Sequence, residues 1–362
     1  MGSLHAKSRM NHRFLSSKRV PRGLTRLEVL LVLSVILLNI AIFLPFVQHT
    51  RQAARRDQCK NNLKQIGLAV ASYQDVFHSY PAGFEVNPAG NYTGWGWNLR
   101  ILPYMNAADL YNKFEPHFAE GIHGLPDAPE FHRRVPTLWC PSDIGTESVP
   151  HAMVVTAKVV DGIVSEGTED WQSRIPLSSY FGNAGYLQLE VGGIQYNAAG
   201  IPTSIVPLVN KGSLGNFGTM RSSDHRYCDQ KHFGGYFGQN SHVKVAQVAD
   251  GTSNTFMFGE RYAPADSSAS AVGYGTWIGV PDCTRAQGLA MALADASVRI
   301  NIGMPLREST TGFGSLHHGG ALFALGDGAV RFISEDIDVG LFRNLATIND
   351  WELETISYPH SP

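Results

Sequence analysis

His317 and Asp327 stand with nine residues between them in the segment FGSLHHGGALFALGDGAVRFI, and both residue types can do chemistry. An imidazole and a carboxylate in contact could share a proton or hold a metal ion. The same segment also reads as a β-hairpin. Leu322–Leu325 and Val330–Ile333 alternate in apolar character around Gly326-Asp327-Gly328, where the Asp would cap the turn and the His would close the preceding strand. Neither a nucleophile nor a second carboxylate accompanies the pair, so the segment predicts a structural motif rather than a catalytic one.

Other residues invite similar weighing. Asp250-Gly-Thr-Ser-Asn-Thr255 could present oxygens to a hard cation such as Ca²⁺. A Ca²⁺ site draws on several carboxylates, however, and this segment offers only Asp250, with Glu260 further on. Asp, Gly, Ser and Asn build a turn without any ion. The segment DHRYCDQKH, residues 224–232, has metal-friendly residue types at no zinc spacing. Trp95 and Trp97, with Tyr80, Tyr92 and Tyr104 nearby, could stack on a sugar ring or peptide, or could form core. The four cysteines, Cys59, Cys140, Cys228 and Cys283, permit one or two disulfides in three pairings that sequence does not choose among. None forms a C-x-x-C pair, which argues against a zinc site of that kind, and no cofactor is expected beyond the Ca²⁺ candidate. Nucleophile-elbow, P-loop, dinucleotide and H-E-x-x-H patterns are all lacking, and catalysis is not indicated.

These residues are positioned by one dominant element. Arg22–Val47 reads RGLTRLEVLLVLSVILLNIAIFLPFV, without a charge from Val29 to Val47. At about 1.5 Å per residue such a helix is close to the length that crosses a bilayer. Residues 1–23 carry six Lys and Arg and no acid, which predicts a cytoplasmic N-terminus. Beyond Pro45 the pattern turns amphipathic. Cys59, Leu63, Ile66, Val70, Tyr73 and Phe77 step by four, three, four, three and four, opposite Lys60, Asn61, Lys64, Gln65 and Asp75. The spacing predicts one helix over about 24–77, ended by Pro81 and Gly83. From Tyr80 onward short apolar runs alternate with turn residues, which predicts short strands over Val243–Val248, Thr255–Glu260, Gly275–Val280, Ala321–Leu325 and Ala329–Ile333. A helix in two parts is expected over Leu99–Phe114, and another from Ile337 to Ala346.

Length and charge narrow the function. Roughly 315 residues beyond the apolar run suffice for one large domain. The formal charge of −2 falls to −8 once the six basic leader residues are removed. An acidic outer domain disfavours a nucleic-acid partner.

The N-terminus resembles the class III signal of type IV pilins and type II secretion pseudopilins, in which a basic leader ends in Gly before an apolar helix. With Gly23 as the last leader residue, Leu24 opens the mature chain, Glu28 takes the fifth position and Pro45 the twenty-second. The resemblance implies cleavage and methylation by prepilin peptidase, a helix kink at Pro45, and packing with other pilin-like subunits in the inner membrane. Leu24 stands where that family has Phe, and Arg26 where it has an apolar residue, so Arg26 could pair with Glu28 or weaken processing.

Cys59-Lys-Asn-Asn-Leu-Lys-Gln-Ile-Gly67, Gly96-Trp-Asn-Leu-Arg-Ile-Leu-Pro-Tyr104, Val135-Pro-Thr-Leu-Trp-Cys-Pro-Ser-Asp143, Ser179-Tyr-Phe-Gly-Asn-Ala-Gly185 and Asp250–Thr255 resemble the motifs of the DUF1559 family. His317, nine intervening residues and Asp327-Gly328 match that family's C-terminal signature. Major pseudopilins hold Ca²⁺ in a C-terminal loop, which keeps Asp250 in view. Together the resemblances imply an α+β, pilin-like fold: a basic leader over 1–23, a membrane half-helix over 24–47, an amphipathic half over 48–78, and a β-rich globular domain over 79–362. They imply an inner-membrane structural protein with a periplasmic domain. The competing expectation is a membrane-tethered binding module for carbohydrate or peptide, and a third is an envelope hydrolase using His317 and Asp327.

Overall fold

The computed structural model describes residues 25–87, 91–119, 122, 125, 131, 133–143, 148–150, 158–160, 163–165, 174–185, 190–196, 202–208, 234–262, 275–280, 292–296, 298–301 and 312–349. The chain is a mixed α+β protein that divides into two compact units between Arg51 and Gln52.

The first unit contains the opening of helix α1 (Arg26–Phe77). Arg26–Leu44 is a 19-residue stretch of mean hydropathy 2.8, none of it buried against protein. Its start is set by a capping box. Thr25 Oγ1 accepts the Glu28 N–H at 3.3 Å, while Glu28 Oε2 accepts from the Thr25 N–H at 2.8 Å and its hydroxyl at 3.0 Å. The carboxylate thus has Thr25 as its partner, where the sequence suggested Arg26. Ser34 and Asn39 return their side-chain donors to the carbonyls of Leu31 and Val35, so neither polar group is left unbonded in the apolar stretch. Pro45 lies inside α1 and removes one N–H from the ladder.

In the second unit the later half of α1 lies on the domain core. Cys59, Leu63, Ile66, Val70 and Tyr73 are all buried, as the four-and-three spacing requires. Each fully buried aliphatic side chain contributes about 1.5–3 kcal/mol. Phe77 is the exception at 55% exposure. The helix terminates beside it at His78, whose φ of +57° turns the chain left-handed ahead of Pro81 and Gly83.

The central sheet has five strands: β12 (Leu293–Ala294), β7 (Tyr180–Asn183), β10 (Phe256–Glu260), β13 (Gly320–Leu325) and β14 (Val330–Ser334), in that order. All neighbours are antiparallel except the parallel pair β12–β7. Its inner strands read as unbroken buried runs because both faces are covered. A second sheet joins β1 (Phe84–Asn87), β2 (Asn91–Gly96) and β11 (Gly279–Val280). Three two-stranded pairs complete the described strands: β3 (Ser148–Pro150) with β6 (Arg174–Pro176), β4 (Lys158–Val160) with β5 (Ile163–Ser165), and β8 (Glu190–Tyr196) with β9 (Pro202–Leu208). Between β2 and β3 the chain forms α2 (Trp97–Ile101), a 3₁₀ turn (Leu102–Met105) containing Pro103, and α3 (Ala108–Phe114). The last helix, α4 (Val339–Asn344), is capped by Asp338 Oδ1 accepting the Leu341 N–H at 2.9 Å.

One expected strand is absent. Val243–Val248 instead contains a 3₁₀ turn at Val245–Gln247, held by Gln247 Oε1 accepting the Lys244 N–H at 2.7 Å. The apolar alternation there imitates a strand, but Val245 is exposed and has no sheet to face. Gly275–Val280 pairs as a strand only at Gly279–Val280, with an isolated bridge at Thr276.

Candidate functional site

The domain's buried polar cluster is assembled from four separate pieces of chain. Cys59 comes from α1, and Cys140 follows a 3₁₀ turn begun by Pro136. Glu260 ends β10, and His317 lies on the loop leading into β13. Cys59 and Cys140 form a disulfide across a sequence separation of 81, with Cα atoms 5.0 Å apart. This bond ties the long helix to the sheet domain. The two remaining cysteines, Cys228 and Cys283, lie outside the described residues.

Against the disulfide sits an ionisable pair. His317 Nε2 is 3.6 Å from Cys140 Sγ and 3.3 Å from Glu260 Oε1, with His317 8% and Glu260 2% exposed. A carboxylate this deep needs compensation. Glu260 Oε2 receives it from the Leu322 N–H at 2.9 Å, while Oε1 faces the imidazole at 3.3 Å without a hydrogen bond. The His317 N–H donates to Ser315 Oγ at 3.2 Å, which fixes the loop.

Backbone bonds stitch the four pieces together. The Arg261 N–H donates to Ser179 O at 3.0 Å, the Ser179 N–H to Leu138 O at 2.9 Å, and the Gly314 N–H to Glu260 O at 2.9 Å. Ser179 Oγ donates to Asp143 Oδ2 at 2.9 Å. On the helix side, Asn62 Nδ2 donates to Trp139 O at 2.8 Å and the Tyr180 hydroxyl to Cys59 O at 3.3 Å. Burial, and after it the Glu260 charge, pushes the Tyr180 phenol well above its ordinary range, so it stays a donor at physiological pH. Arg261 lies 3.7 Å above the Phe181 ring. Burial pulls its guanidinium down to about 9, opposed by Asp295, and it stays cationic at neutral pH. A narrow pocket lined by Cys140, Asp143, Ser179, Glu260, Arg261 and Ser315 opens onto the cluster.

His317 and Asp327 do not meet. They flank opposite ends of β13, a six-residue strand about 20 Å long. Asp327 Oδ1 accepts the Ala329 N–H at 2.9 Å and so caps the turn, while Gly328 adopts a φ of +82° that a side chain would strain. The turn lies under α1, where a Cβ added to Gly67 would sit 3.7 Å from Gly328 Cα. Removing the cap by Asp327→Ala is expected to lower stability by about 1 kcal/mol without disturbing the disulfide cluster. A thermal melt identical to that of the parent would contradict this role.

The stacking role considered for Trp95 and Trp97 is corrected by their burial, at 4% and 0% exposure. Trp97 packs on Phe237 and Phe258, and Trp95 on Phe114 and Phe118, so all their ring faces are taken by the protein. At Asp250 the turn satisfies itself. Asn254 Nδ2 donates to the Asp250 carbonyl at 3.0 Å and Thr255 Oγ1 to the Gly251 carbonyl at 3.2 Å. Glu260, the other carboxylate considered, faces His317 from the far end of β10. Among the described residues, the only group of three or more His, Cys, Asp or Glu donors is that of Cys59, Cys140, Glu260 and His317. Gly23, Leu24 and the 224–232 segment lie outside the described residues.

Cys59 and Asn62, Cys140 and Asp143, Ser179 and Tyr180, and His317 each belong to a different one of the motifs quoted from the sequence. Glu260 belongs to none of them and signalled itself only as a lone acid ending an apolar strand.

A family model described as "Protein of unknown function (DUF1559)" matches residues 48–340, which takes in every residue of this cluster. No curated protein and no solved structure matches the chain. With most of its length covered by that model, the chain belongs to the DUF1559 family.

Proposed function

We propose that this protein is a pilin-like structural subunit, anchored in the inner membrane by the first half of α1 and displaying its sheet domain outside. The observation that carries this reading is the two-part use of one helix. Residues 26–44 present only apolar or uncharged side chains beyond Glu28 and have no protein cover, while Cys59, Leu63, Ile66, Val70 and Tyr73 bury one face of the later half, which is covalently tied to the domain. A helix that must be covered by lipid or by other helices at one end and is fixed to a folded head at the other suits a subunit that assembles through its stem. Prepilin peptidase would cut after Gly23, and the apolar stems of neighbouring subunits would then pack together. The burial of Trp95 and Trp97 favours this reading over a carbohydrate- or peptide-binding module that would stack a ligand on those two rings.

In this reading Glu28 neutralises the new amine of a neighbouring subunit, since a paired intramembrane carboxylate is tolerated where a lone one is not. The capping box offers a purely structural alternative, and one substitution separates the two. Gln at this position keeps the cap but not the charge. Glu28→Gln and Glu28→Ala are both expected to leave the domain's melting temperature unchanged and to stop co-purification with other pilin-like subunits. Normal assembly by Glu28→Gln would reduce Glu28 to a helix cap.

A further inference from the structure

We propose that, once Cys59–Cys140 is reduced, Cys59, Cys140, His317 and Glu260 form a buried site for one divalent metal ion of the zinc type. The inference stands on the cluster's geometry and is independent of the pilin reading.

The donor set is the first argument. The two sulfurs, the His317 nitrogen and a Glu260 oxygen lie within 4.8 Å of one another, and all four residues are buried. Zinc holds sulfur at about 2.3 Å and nitrogen or oxygen at about 2.0–2.2 Å. Tetrahedral ligands therefore stand roughly 3.3–3.8 Å apart, so the cluster needs only small side-chain movements to reach that geometry. Two thiolates with an imidazole and a carboxylate form a borderline-soft set, which disfavours Ca²⁺ and Mg²⁺.

The second argument is an unfilled acceptor. Glu260 Oε1 is buried and accepts no hydrogen bond, although the imidazole faces it at 3.3 Å. Its twin Oε2 is held by the Leu322 N–H, which orients the carboxylate as supporting contacts orient metal ligands. A narrow pocket is lined by Cys140 and Glu260, so the donors border a small space rather than solid packing.

The chemistry balances in two steps. A dithiol reductant gives two electrons and two protons to the disulfide, yielding two thiols and an oxidised dithiol. The metal ion then displaces two thiol protons to solvent and binds two thiolates. Because the same two cysteines bridge α1 and the domain in either state, the metal would replace the disulfide as the clamp, and exchange with an oxidised dithiol, which takes the two electrons and two protons from solvent as it is reduced, would re-form the disulfide and release the ion.

The test uses the full chain in detergent with Cys228→Ser and Cys283→Ser, so that the other cysteines contribute nothing. Reduced with a phosphine and titrated with Co²⁺, the chain is expected to bind one ion, with thiolate-to-cobalt charge-transfer absorption and the visible bands of a tetrahedral site. The oxidised chain is expected to bind none. Glu260→Gln and His317→Ala, each checked for folding in the oxidised state, are expected to weaken binding at least about tenfold. Three outcomes overturn the proposal: a reduced chain that holds no metal, an oxidised chain that binds equally well, or variants that bind as tightly as the parent.

Discussion

Replacing both Cys59 and Cys140 by alanine lowers the unfolding free energy of the sheet domain by about 2–5 kcal/mol. The size follows from the long loop that the bond closes, whose ends are 81 residues apart. In the chain-entropy account a loop of that length contributes about 4.5 kcal/mol, chiefly by restricting the unfolded state. Both sulfurs are buried, so the variant also loses packing between the helix and the segment after Pro136. Urea unfolding of the full chain in detergent, followed by tryptophan fluorescence, should show a lower midpoint with an otherwise single transition. An unchanged midpoint would mean that the helix is held by its apolar face alone.

Trp97→Ala is expected to cost about 3–5 kcal/mol, among the largest losses for any single substitution in the domain. The ring sits 5.0 Å from Phe237 and 5.6 Å from Phe258 between ring centroids, and its Nε1–H donates to Ala292 O at 3.3 Å. A Cβ added to Gly182 of β7 would come within 2.9 Å of Nε1, so the indole fills a space shaped by that glycine. Removing the ring leaves a cavity lined by aromatics that cannot all move in to fill it. A thermal melt reports the loss. A variant that melts like the parent yet loses affinity for a glycan would restore the ligand-stacking role.

Much of this fold was legible because helical spacing is a strong signal. Five of the six residues placed on one face of α1 are buried, and only Phe77, beside the left-handed residue that ends the helix, is not. The β13–β14 hairpin was legible from its glycine-flanked Asp. Strand β7 was not, because Tyr-Phe-Gly-Asn is buried on both faces and has no alternation to read. Val243–Val248 failed the other way, since alternation without a partner strand ended as a turn. The capping box of Thr25 and Glu28 is written in the sequence as T-x-x-E, but an acid at the edge of an apolar run draws attention to its charge first. The site itself was only half visible. His317 and both cysteines stood in recognisable motifs, yet their meeting point depends on contacts 81 to 177 residues apart. No local pattern assigns the cysteine pairing or brings Glu260 to His317.

The central claim, a processed pilin-like subunit, is tested most directly by the N-terminal residue and intact mass of the protein taken from its native membranes. A chain beginning at a methylated Leu24 is the predicted result, and would show that the leader is removed despite Leu24 and Arg26. A chain that retains residues 1–23 would contradict it and make α1 a plain signal anchor.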